Sequence, residues 1–218
     1  MNILRNQMTN FVLTSINFIE MARIKIEKNL SRKDVIVSKA ATLFREKGYK
    51  AASMRDLAES VGVEAASLYN HIKSKSELLH ELVFSVANKF VMKLDEIESE
   101  SISSLQKMEK ILRFHISEMI HHYEEVYVSD REWKHLSDPY LSNYQNQRRV
   151  YRKRLAAIIE EGIRNKEIKA IDAPTVVLIF LHAVSGIESW HRSTKKISAE
   201  ELEQNMVAIL IDGLKANK

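Results

Sequence analysis

Cysteine is absent from this 218-residue chain, and glycine and proline are scarce, with 5 and 2 residues. Without cysteine there is no disulfide scaffold, thiolate zinc site, iron–sulfur cluster or cysteine nucleophile. A sheet-rich fold needs a turn about every 8–12 residues, and so few glycines and prolines do not supply them. Hydrophobic residues make up 45% of the chain, enough for a substantial core at this length. The sequence therefore predicts a globular protein of the all-α class.

Long apolar runs are also missing, because none approaches the roughly 20 residues needed to span a bilayer. Residues 11–19 come nearest to the apolar part of an export signal, but polar residues interrupt them and no cleavage pattern follows. We therefore expect a cytoplasmic protein without a membrane partner. Met21 opens a basic stretch that resembles a natural start. Residues 1–30 are accordingly expected to be an N-terminal extension: a misassigned start, an extra helix or a disordered arm.

The net charge of +4 is unevenly distributed along the chain. Residues 21–80 hold 12 lysines and arginines against 7 aspartates and glutamates, whereas residues 81–218 hold 20 against 21. A basic first third on a neutral remainder indicates a module for a polyanion joined to a body with another partner.

Local signals in the basic third mark the ends of two helices. Apolar residues at helical spacing predict a first helix over residues 31–47, and Gly48 stands where a left-handed residue would end it. Ser53 followed by Asp56 forms a capping box that opens a second, short helix. Gly62 ends that helix after about two turns.

A third helix is expected over residues 64–72, and a second capping box at Ser74 and Glu77 opens a long fourth helix. Two short helices joined by a tight glycine turn, with another packed behind them, make a helix-turn-helix, whose second helix enters the major groove of DNA. Its aliphatic side chains are expected to face inward: Val63, Leu68 and Ile72. Its small and polar side chains are then free to meet bases and phosphates: Ala65, Ala66, Ser67, Tyr69, Asn70 and His71.

Five short motifs stand here in order and without gaps: Ala40-Ala41-Thr42-Leu43-Phe44, Glu46-Lys47-Gly48-Tyr49, Ser53-Met54-Arg55-Asp56-Leu57-Ala58, Val61-Gly62-Val63 and Ser67-Leu68-Tyr69-Asn70-His71-Ile72-Lys73-Ser74-Lys75. Together they resemble the DNA-binding domain of the TetR family of transcriptional repressors. The resemblance implies a cytoplasmic bacterial homodimer that binds palindromic operators and releases them when a small molecule occupies its C-terminal domain. Carried over position by position, it implies DNA contacts by Arg55, Ala65, Ala66, Ser67, Tyr69, Asn70, His71 and Lys75. Ile72 departs from the phenylalanine of many relatives at an inward position, which affects packing rather than contacts.

The domain organisation that follows is a helix-turn-helix domain at residues 31–80 and a helical effector-binding and dimerisation domain at residues 81–218. Apolar residues predict two terminal helices, one from residue 176 to about 190 and one starting after Ser198. The first of these is apolar nearly all round, so more than one of its sides must be covered. The two helices either pair with their copies in a second subunit, as TetR-like proteins do, or are buried within one chain.

Several large side chains of the body are candidates for an apolar effector pocket: Met108, Phe114, Met119, Tyr123, Trp133, Phe180 and Trp190. Arg131, the basic run at residues 148–154 and Arg192 are the candidates to meet an anionic group of the ligand. The alternatives are an ordinary core and a solvated basic face. The C-terminal pattern loosely resembles the branch of the family that senses fatty-acyl-CoA, which implies an apolar tunnel with arginines at its mouth.

Other kinds of site find little support in the sequence. His115, Glu118 and His122 share one helix face, but histidines on an amphipathic helix are more often ordinary, so no metal and no cofactor are expected. Neither GxGxxG, Walker A, HExxH nor GxSxG occurs, so no enzyme is expected.

The sequence thus leads to one main hypothesis, a ligand-responsive transcriptional repressor that a small apolar or acyl-thioester effector releases from its operator. One alternative is a helical protein–protein adaptor whose basic head docks an acidic partner. The other is a TetR-like activator, or a regulator without a small-molecule ligand.

Overall fold

The computed structural model describes residues 32–195 and 197–216, so the expectations for residues 1–30 lie outside the described part. The described chain folds into ten α-helices, with a short 3-10 helix at Trp133–His135 after the sixth. They are α1 (Arg32–Lys47), α2 (Met54–Val61), α3 (Ala65–Leu68), α4 (Lys75–Ser99), α5 (Ser104–His121), α6 (Tyr123–Arg131), α7 (Tyr140–Arg164), α8 (Ala173–Ser185), α9 (Ile187–Arg192) and α10 (Ala199–Asp212). The only extended pairing in this part is an isolated bridge between Ile168 and Lys215, and the all-α prediction is confirmed.

The start of α2 has the predicted capping box. The Ser53 hydroxyl accepts a hydrogen bond from the Asp56 amide at 3.1 Å, and the Asp56 carboxylate accepts one from the Ser53 amide at 2.9 Å. The Lys47 ammonium donates to the same carboxylate at 2.8 Å and, together with Ser53, holds the pKa of Asp56 well below its usual value. Gly62, with φ +74°, ends α2 in the left-handed conformation that favours glycine.

The second predicted capping box is only half formed. The Ser74 hydroxyl accepts from the Glu77 amide at 3.1 Å, but the Glu77 carboxylate accepts from the amide of Lys73, one residue before the expected donor. The carboxylate therefore also ties down the turn that precedes α4, a detail that the sequence spacing does not show.

The third helix is shorter than the sequence predicts. Its α-helical part is Ala65–Leu68, and the amides of Asn70 and His71 then bond to carbonyls three residues back. Such bonds tighten the last turn into 3-10 geometry. Leu68 and Ile72 are fully buried, as expected, and they anchor this segment in the core of the head.

Two hydrophobic cores share α4. Leu82 and Val83, near its start, belong to the core of the head, whereas Leu94 and Ile97, near its end, belong to the core of the body. Three body residues also pack into the core of the head: Val128 of α6, Leu136 directly after the 3-10 helix, and Tyr144 of α7. The head is therefore fixed to α4, α6 and α7, although the predicted boundary at residue 80 itself stays a prediction.

The apolar segment near the C-terminus is two helices, α8 and α9, which meet at Gly186. Taken together, Ala173–Arg192 is long and apolar enough to cross a membrane, with a mean hydropathy of 1.3, which corrects the expectation that no such segment exists. One face of it lies in the core of the body: Val176, Val177, Phe180, Val184 and Ile187. Leu178 and Ile179, on the other face, are 57% and 52% exposed, so this face is uncovered within the described chain.

Candidate DNA-binding surface and effector cavity

A glycine turn positions the helix that is expected to read DNA. After α2 the Gly62 amide donates to the Glu59 carbonyl at 3.1 Å, and the Val63 amide donates to the Ala58 carbonyl at 3.0 Å. These bonds satisfy carbonyls at the end of α2 and turn the chain into α3. The angle between the two helices therefore depends on Gly62, because other residues rarely adopt its backbone conformation.

The outer face of α3 and of the turn after it is open to solvent. Ala65, Ala66, Asn70 and His71 are exposed, Ser67 is half-buried, and the Tyr69 side chain is 52% exposed. Arg55 is exposed on the preceding helix. Their side chains make no hydrogen bond or ion pair with the described residues. The structure thus leaves seven of the eight predicted DNA-contacting side chains available to a partner.

Lys75 is the eighth, and its ammonium turns into the head. It donates hydrogen bonds to the carbonyls of Tyr49 and Ala52, both at 2.8 Å, and to the carbonyl of Lys50 at 3.3 Å. It also lies 4.5 Å from the centroid of the Tyr49 ring. These acceptors occupy its three donors, so the geometry favours a role in holding the loop between α1 and α2 over the phosphate contact expected from sequence.

A cavity of about 500 Å³ lies in the body, between α4, α5, α6, α7 and α8, with one residue from α9. The apolar part of its wall combines residues from four of these helices, α4, α5, α6 and α8: Val86, Ala87, Phe90, Val91, Met119, Val126, Leu181 and Val184. Polar and charged side chains complete the wall, chiefly from α6 and α7. Pockets for small molecules commonly have this mixed character and measure about 300–1,000 Å³.

The charged groups in the wall are mostly paired with each other. Arg131 donates to Glu188 at 2.9 Å, and Arg148 donates to Asp130 at 3.2 Å. Arg152 forms no ion pair with the described residues. The wall therefore carries one positive charge in excess, and Arg152 is the arginine free to meet an anion.

Most of the residues predicted for the effector pocket lie outside this cavity. Of the eight residues proposed from sequence only Met119 and Arg131 line the cavity, and six lie outside its wall: Met108, Phe114, Tyr123, Trp133, Phe180 and Trp190. Met108 and Phe180 are buried in the core of the body, and Trp133 packs against the core of the head. The indole of Trp190 donates to the carbonyl of Ile197. Met108, Phe180 and Trp133 thus belong to packed cores, and sequence periodicity does not distinguish a packed apolar face from one that encloses a void.

The other two aromatic residues outside the cavity wall, and two arginines predicted to meet an anion, also have other partners. Phe114 contacts the Phe90 ring edge-on at 5.0 Å, and Tyr123 stacks on His191 at 4.1 Å. Arg154, in the basic run at residues 148–154, donates to Glu98 and thus points away from the cavity. Arg192 pairs with Glu188 at 3.3 Å.

Sequence reasoning missed a polar pair in the wall, His115 and Tyr151. The Nε2 atom of His115 lies 2.8 Å from the Tyr151 hydroxyl, and burial lowers the pKa of His115 to about 3. His115 had been weighed as a metal ligand with Glu118, but the Glu118 carboxylate pairs with the Lys89 ammonium at 2.7 Å. No group of three or more metal-ligating side chains comes together among the residues that the structure describes.

Two family models match this chain. Residues 36–82 match the model for bacterial regulatory proteins of the tetR family, and residues 101–214 match the Tetracyclin repressor-like C-terminal domain. The chain belongs to the TetR family. The prediction of a DNA-binding transcriptional regulator with a helix-turn-helix is thereby confirmed.

This TetR-family protein is similar to curated repressors over most of its length. It is 27% identical over 186 residues to the HTH-type transcriptional repressor KstR2 of Mycolicibacterium smegmatis, which covers 84% of this chain and 91% of the relative. It is 30% identical over 167 residues to IcaR of Staphylococcus aureus, a negative transcriptional regulator of the biofilm operon icaADBC, with 73% and 82% covered. These relatives are transcriptional regulators rather than enzymes.

Solved structures share the fold. The ketosteroid transcriptional regulator KstR2 of Mycobacterium tuberculosis superposes with a TM-score of 0.79 at 23% identity, over 86% of this chain and 96% of that one. AibR, solved in complex with isovaleryl coenzyme A and operator DNA, superposes with a TM-score of 0.73 at 21% identity, over 83% and 98%. At these identities the likeness establishes a common architecture.

Proposed function

We propose that this protein is a homodimeric transcriptional repressor that leaves its operator when a small molecule enters the cavity in its body. One observation carries the proposal: the helices that enclose the cavity also hold the head. In α4, Val86 lines the cavity and Val83 packs into the core of the head; in α6, the same holds for Val126 and Val128. A ligand that moves either helix therefore moves the head. The named relatives, which are repressors, support the sign of regulation.

The DNA-binding surface is the outer face of α3 with its flanking turns. The proposed contacts are Arg55, Ala65, Ala66, Ser67, Tyr69, Asn70 and His71, with Lys75 acting chiefly through the loop that it holds. A dimer sets two such surfaces about 34–36 Å apart, which matches successive major grooves of a palindromic operator. An effector that binds better to a form with another spacing empties the operator with a coupling free energy of roughly 1–3 kcal/mol. Because its operator is bacterial DNA, the protein acts in the cytoplasm.

The proposed dimer interface is the uncovered apolar face of α8 and α10. Leu178 and Ile179 of α8 and Ile209 of α10 are between 52% and 73% exposed. Ala183 and Gly186 add small residues that permit close helix approach. Pairing this face with its copy buries apolar side chains from four helices, two from each subunit.

The proposed effector has an apolar part and one anionic group. The apolar wall receives the first, and Arg152 meets the second, with the exposed Arg149 and Lys153 beside it on α7. An acyl thioester of coenzyme A has this composition, with an acyl group of a size for the cavity and phosphates for the arginines. The complex of AibR with isovaleryl coenzyme A supports this class for the fold.

The test is a fluorescence anisotropy titration of the purified protein on DNA from upstream of its own gene, with a scrambled duplex as control. We expect tight binding to the upstream duplex, and release by isovaleryl-CoA or octanoyl-CoA but not by coenzyme A alone. Arg152→Gln is expected to weaken the response to acyl-CoA. Arg164→Gln, at an exposed arginine on the same helix that pairs with none of the described residues, is expected to leave it unchanged. Equal binding to both duplexes would refute the regulator, and binding that no acyl-CoA relieves would favour a regulator without this ligand.

A further inference from the structure

A polar pair in the cavity wall, His115 and Tyr151, takes no part in the ion pairs of the wall. His115 of α5 and Tyr151 of α7 both line the cavity and are joined by the 2.8 Å contact between Nε2 and the phenol hydroxyl. His115 is only 5% exposed, so its ring is fixed in the wall rather than free in solvent. The inference below concerns this pair and rests on the proposed effector cavity.

Aromatic rings surround the imidazole of His115. Phe90 meets it edge-on at 4.7 Å between centroids, and Phe180 does so at 5.4 Å. Burial therefore lowers the pKa of His115 to about 3 and raises the pKa of Tyr151. Both groups are uncharged at physiological pH, in contrast to the arginines elsewhere in the wall.

The pair has an unused donor. A neutral imidazole carries one N–H and one acceptor nitrogen, and the phenol carries one O–H. If Tyr151 donates to Nε2, the Nδ1–H of His115 is left over; if Nε2–H donates to Tyr151, the phenol O–H is left over. Nδ1 has no hydrogen-bond partner among the described residues. It is not fully buried either, because Arg45 Nε is the one fully buried side-chain nitrogen or oxygen of the described residues that lacks a partner. In either tautomer the pair thus offers one donor that the protein leaves unused.

An anion would be a poor partner for this donor. The surrounding rings supply no counter-charge, and a charged group that leaves water without one loses several kcal/mol of solvation. An uncharged oxygen costs much less to bury, and it completes the hydrogen bonding of the pair.

We propose that His115 and Tyr151 form a binding subsite for an uncharged oxygen, a carbonyl or a hydroxyl, carried on the apolar part of the effector. The cavity then recognises two features of its ligand. Arg152 selects for negative charge, and the His115–Tyr151 pair selects for a neutral oxygen within the apolar part of the ligand. A purely hydrocarbon ligand leaves the donor unpaired and binds less tightly.

Three probes of the same shape test the subsite: indane, 1-indanone and 1-indanol, titrated into the full-length protein by ligand-observed NMR. The wild-type protein is expected to bind the ketone and the alcohol about three- to tenfold more tightly than the hydrocarbon, as one hydrogen bond predicts. His115→Phe combined with Tyr151→Phe removes every donor of the pair, whichever tautomer is present, and is expected to reduce this preference to less than twofold. Tyr140→Phe, an exposed tyrosine on the same helix as Tyr151 but outside the wall, is the matched control and is expected to keep it.

His115→Gln, which retains a donor and an acceptor, serves as the second variant should the double variant unfold, and it is expected to keep part of the preference. Equal wild-type affinities for indane and 1-indanone would overturn the subsite while leaving the effector cavity intact. So would a full preference for the ketone in the double variant. Failure of every probe and of octanoyl-CoA to bind the wild-type protein would overturn the effector cavity itself, and the subsite with it.

Discussion

The guanidinium of Arg45, in α1 of the head, lies 5.9 Å from the centroid of the Tyr123 ring, at the start of α6 in the body. Its Nε atom is buried with no hydrogen-bond partner in the described part of the chain, and it lies 3.7 Å from a carboxylate oxygen of Glu124. Tyr123 in turn stacks on His191, whose Nε2 lies 2.7 Å from the carbonyl of Met119, a residue of the cavity wall. A continuous series of contacts thus joins the cavity to the head.

This series predicts that Arg45→Gln weakens the response to effector more than it weakens the binding of either ligand. Residues that link two sites commonly change the coupling free energy by about 0.5–2 kcal/mol. The measurement compares operator affinity with and without octanoyl-CoA, in wild type and variant. Arg164→Gln, far from this contact along the chain, serves as the control. An unchanged ratio of the two affinities in Arg45→Gln would show that the signal takes another route.

A variant of Lys75 distinguishes a positioning role of this side chain from a phosphate contact. Lys75→Met removes three hydrogen bonds from the loop between α1 and α2, and we expect it to destabilise the head by about 1–3 kcal/mol. Thermal unfolding measures this loss, and operator binding falls for all sequences together. If Lys75 instead meets a phosphate, as the sequence suggested, Lys75→Met lowers the salt slope of DNA binding by about 1 and leaves the melting temperature unchanged.

The side chains of Ser67 and Asn70 are expected to contact base edges. Asn70→Ala should lose about 1–3 kcal/mol on the preferred operator and relax the preference at one base position. His71→Ala, by contrast, should weaken all sequences alike, because a phosphate contact carries no sequence information. Selection from a randomised duplex library distinguishes the two results. Recovery of the wild-type motif by Asn70→Ala would exclude base reading by this side chain.

The uncovered face of α8 and α10 predicts where a charge prevents dimerisation. Ile209→Glu places a carboxylate on a side chain that is 73% exposed in the single chain and buried in the proposed dimer. We expect a monomer in sedimentation velocity and loss of tight operator binding. Met92→Glu, on α4 and 69% exposed, is the matched control and should remain dimeric. A dimeric Ile209→Glu would place the interface elsewhere.

The buried imidazole of His115 predicts a loss of stability in mild acid. Its pKa is about 3 in the folded state and near 6.5 when unfolded, so the unfolded chain binds a proton that the folded chain excludes. The stability from the neutral ring is complete above pH 6.5 and declines as the pH falls toward 3. Between pH 8 and pH 5 this amounts to about 2 kcal/mol. Urea midpoints at the two pH values should therefore differ less in His115→Gln than in wild type, and equal differences would contradict the pKa assignment.

Helix ends and the helix-turn-helix were within reach of sequence reasoning because their causes are local. Ser53 and Asp56 cap α2 through atoms three residues apart, and Gly62 ends it through its own backbone freedom. Leu68 and Ile72 face inward because helical spacing puts them on one side. The capping box at Ser74 is only half formed for a reason that is also local. The flexible Glu77 side chain has the amides of both Lys73 and Ser74 within reach, and its carboxylate bonds to that of Lys73.

The cavity was out of reach because a void depends on how several helices pack together. Met108 and Met119 look alike in the sequence, yet the first is buried in the core and the second lines the cavity. No sequence pattern pointed to Tyr151, since its partner His115 is 36 residues away along the chain.

By itself, the amino-acid sequence determined the helical class, the ends of most helices and the motif that places this chain in the TetR family. These follow from capping, backbone freedom and periodicity, which act over a few residues. Only the tertiary structure decided which apolar faces enclose a space, which arginines are neutralised, and that the ammonium of Lys75 turns inward. Those outcomes depend on distances between segments far apart in the chain, and no local pattern encodes them.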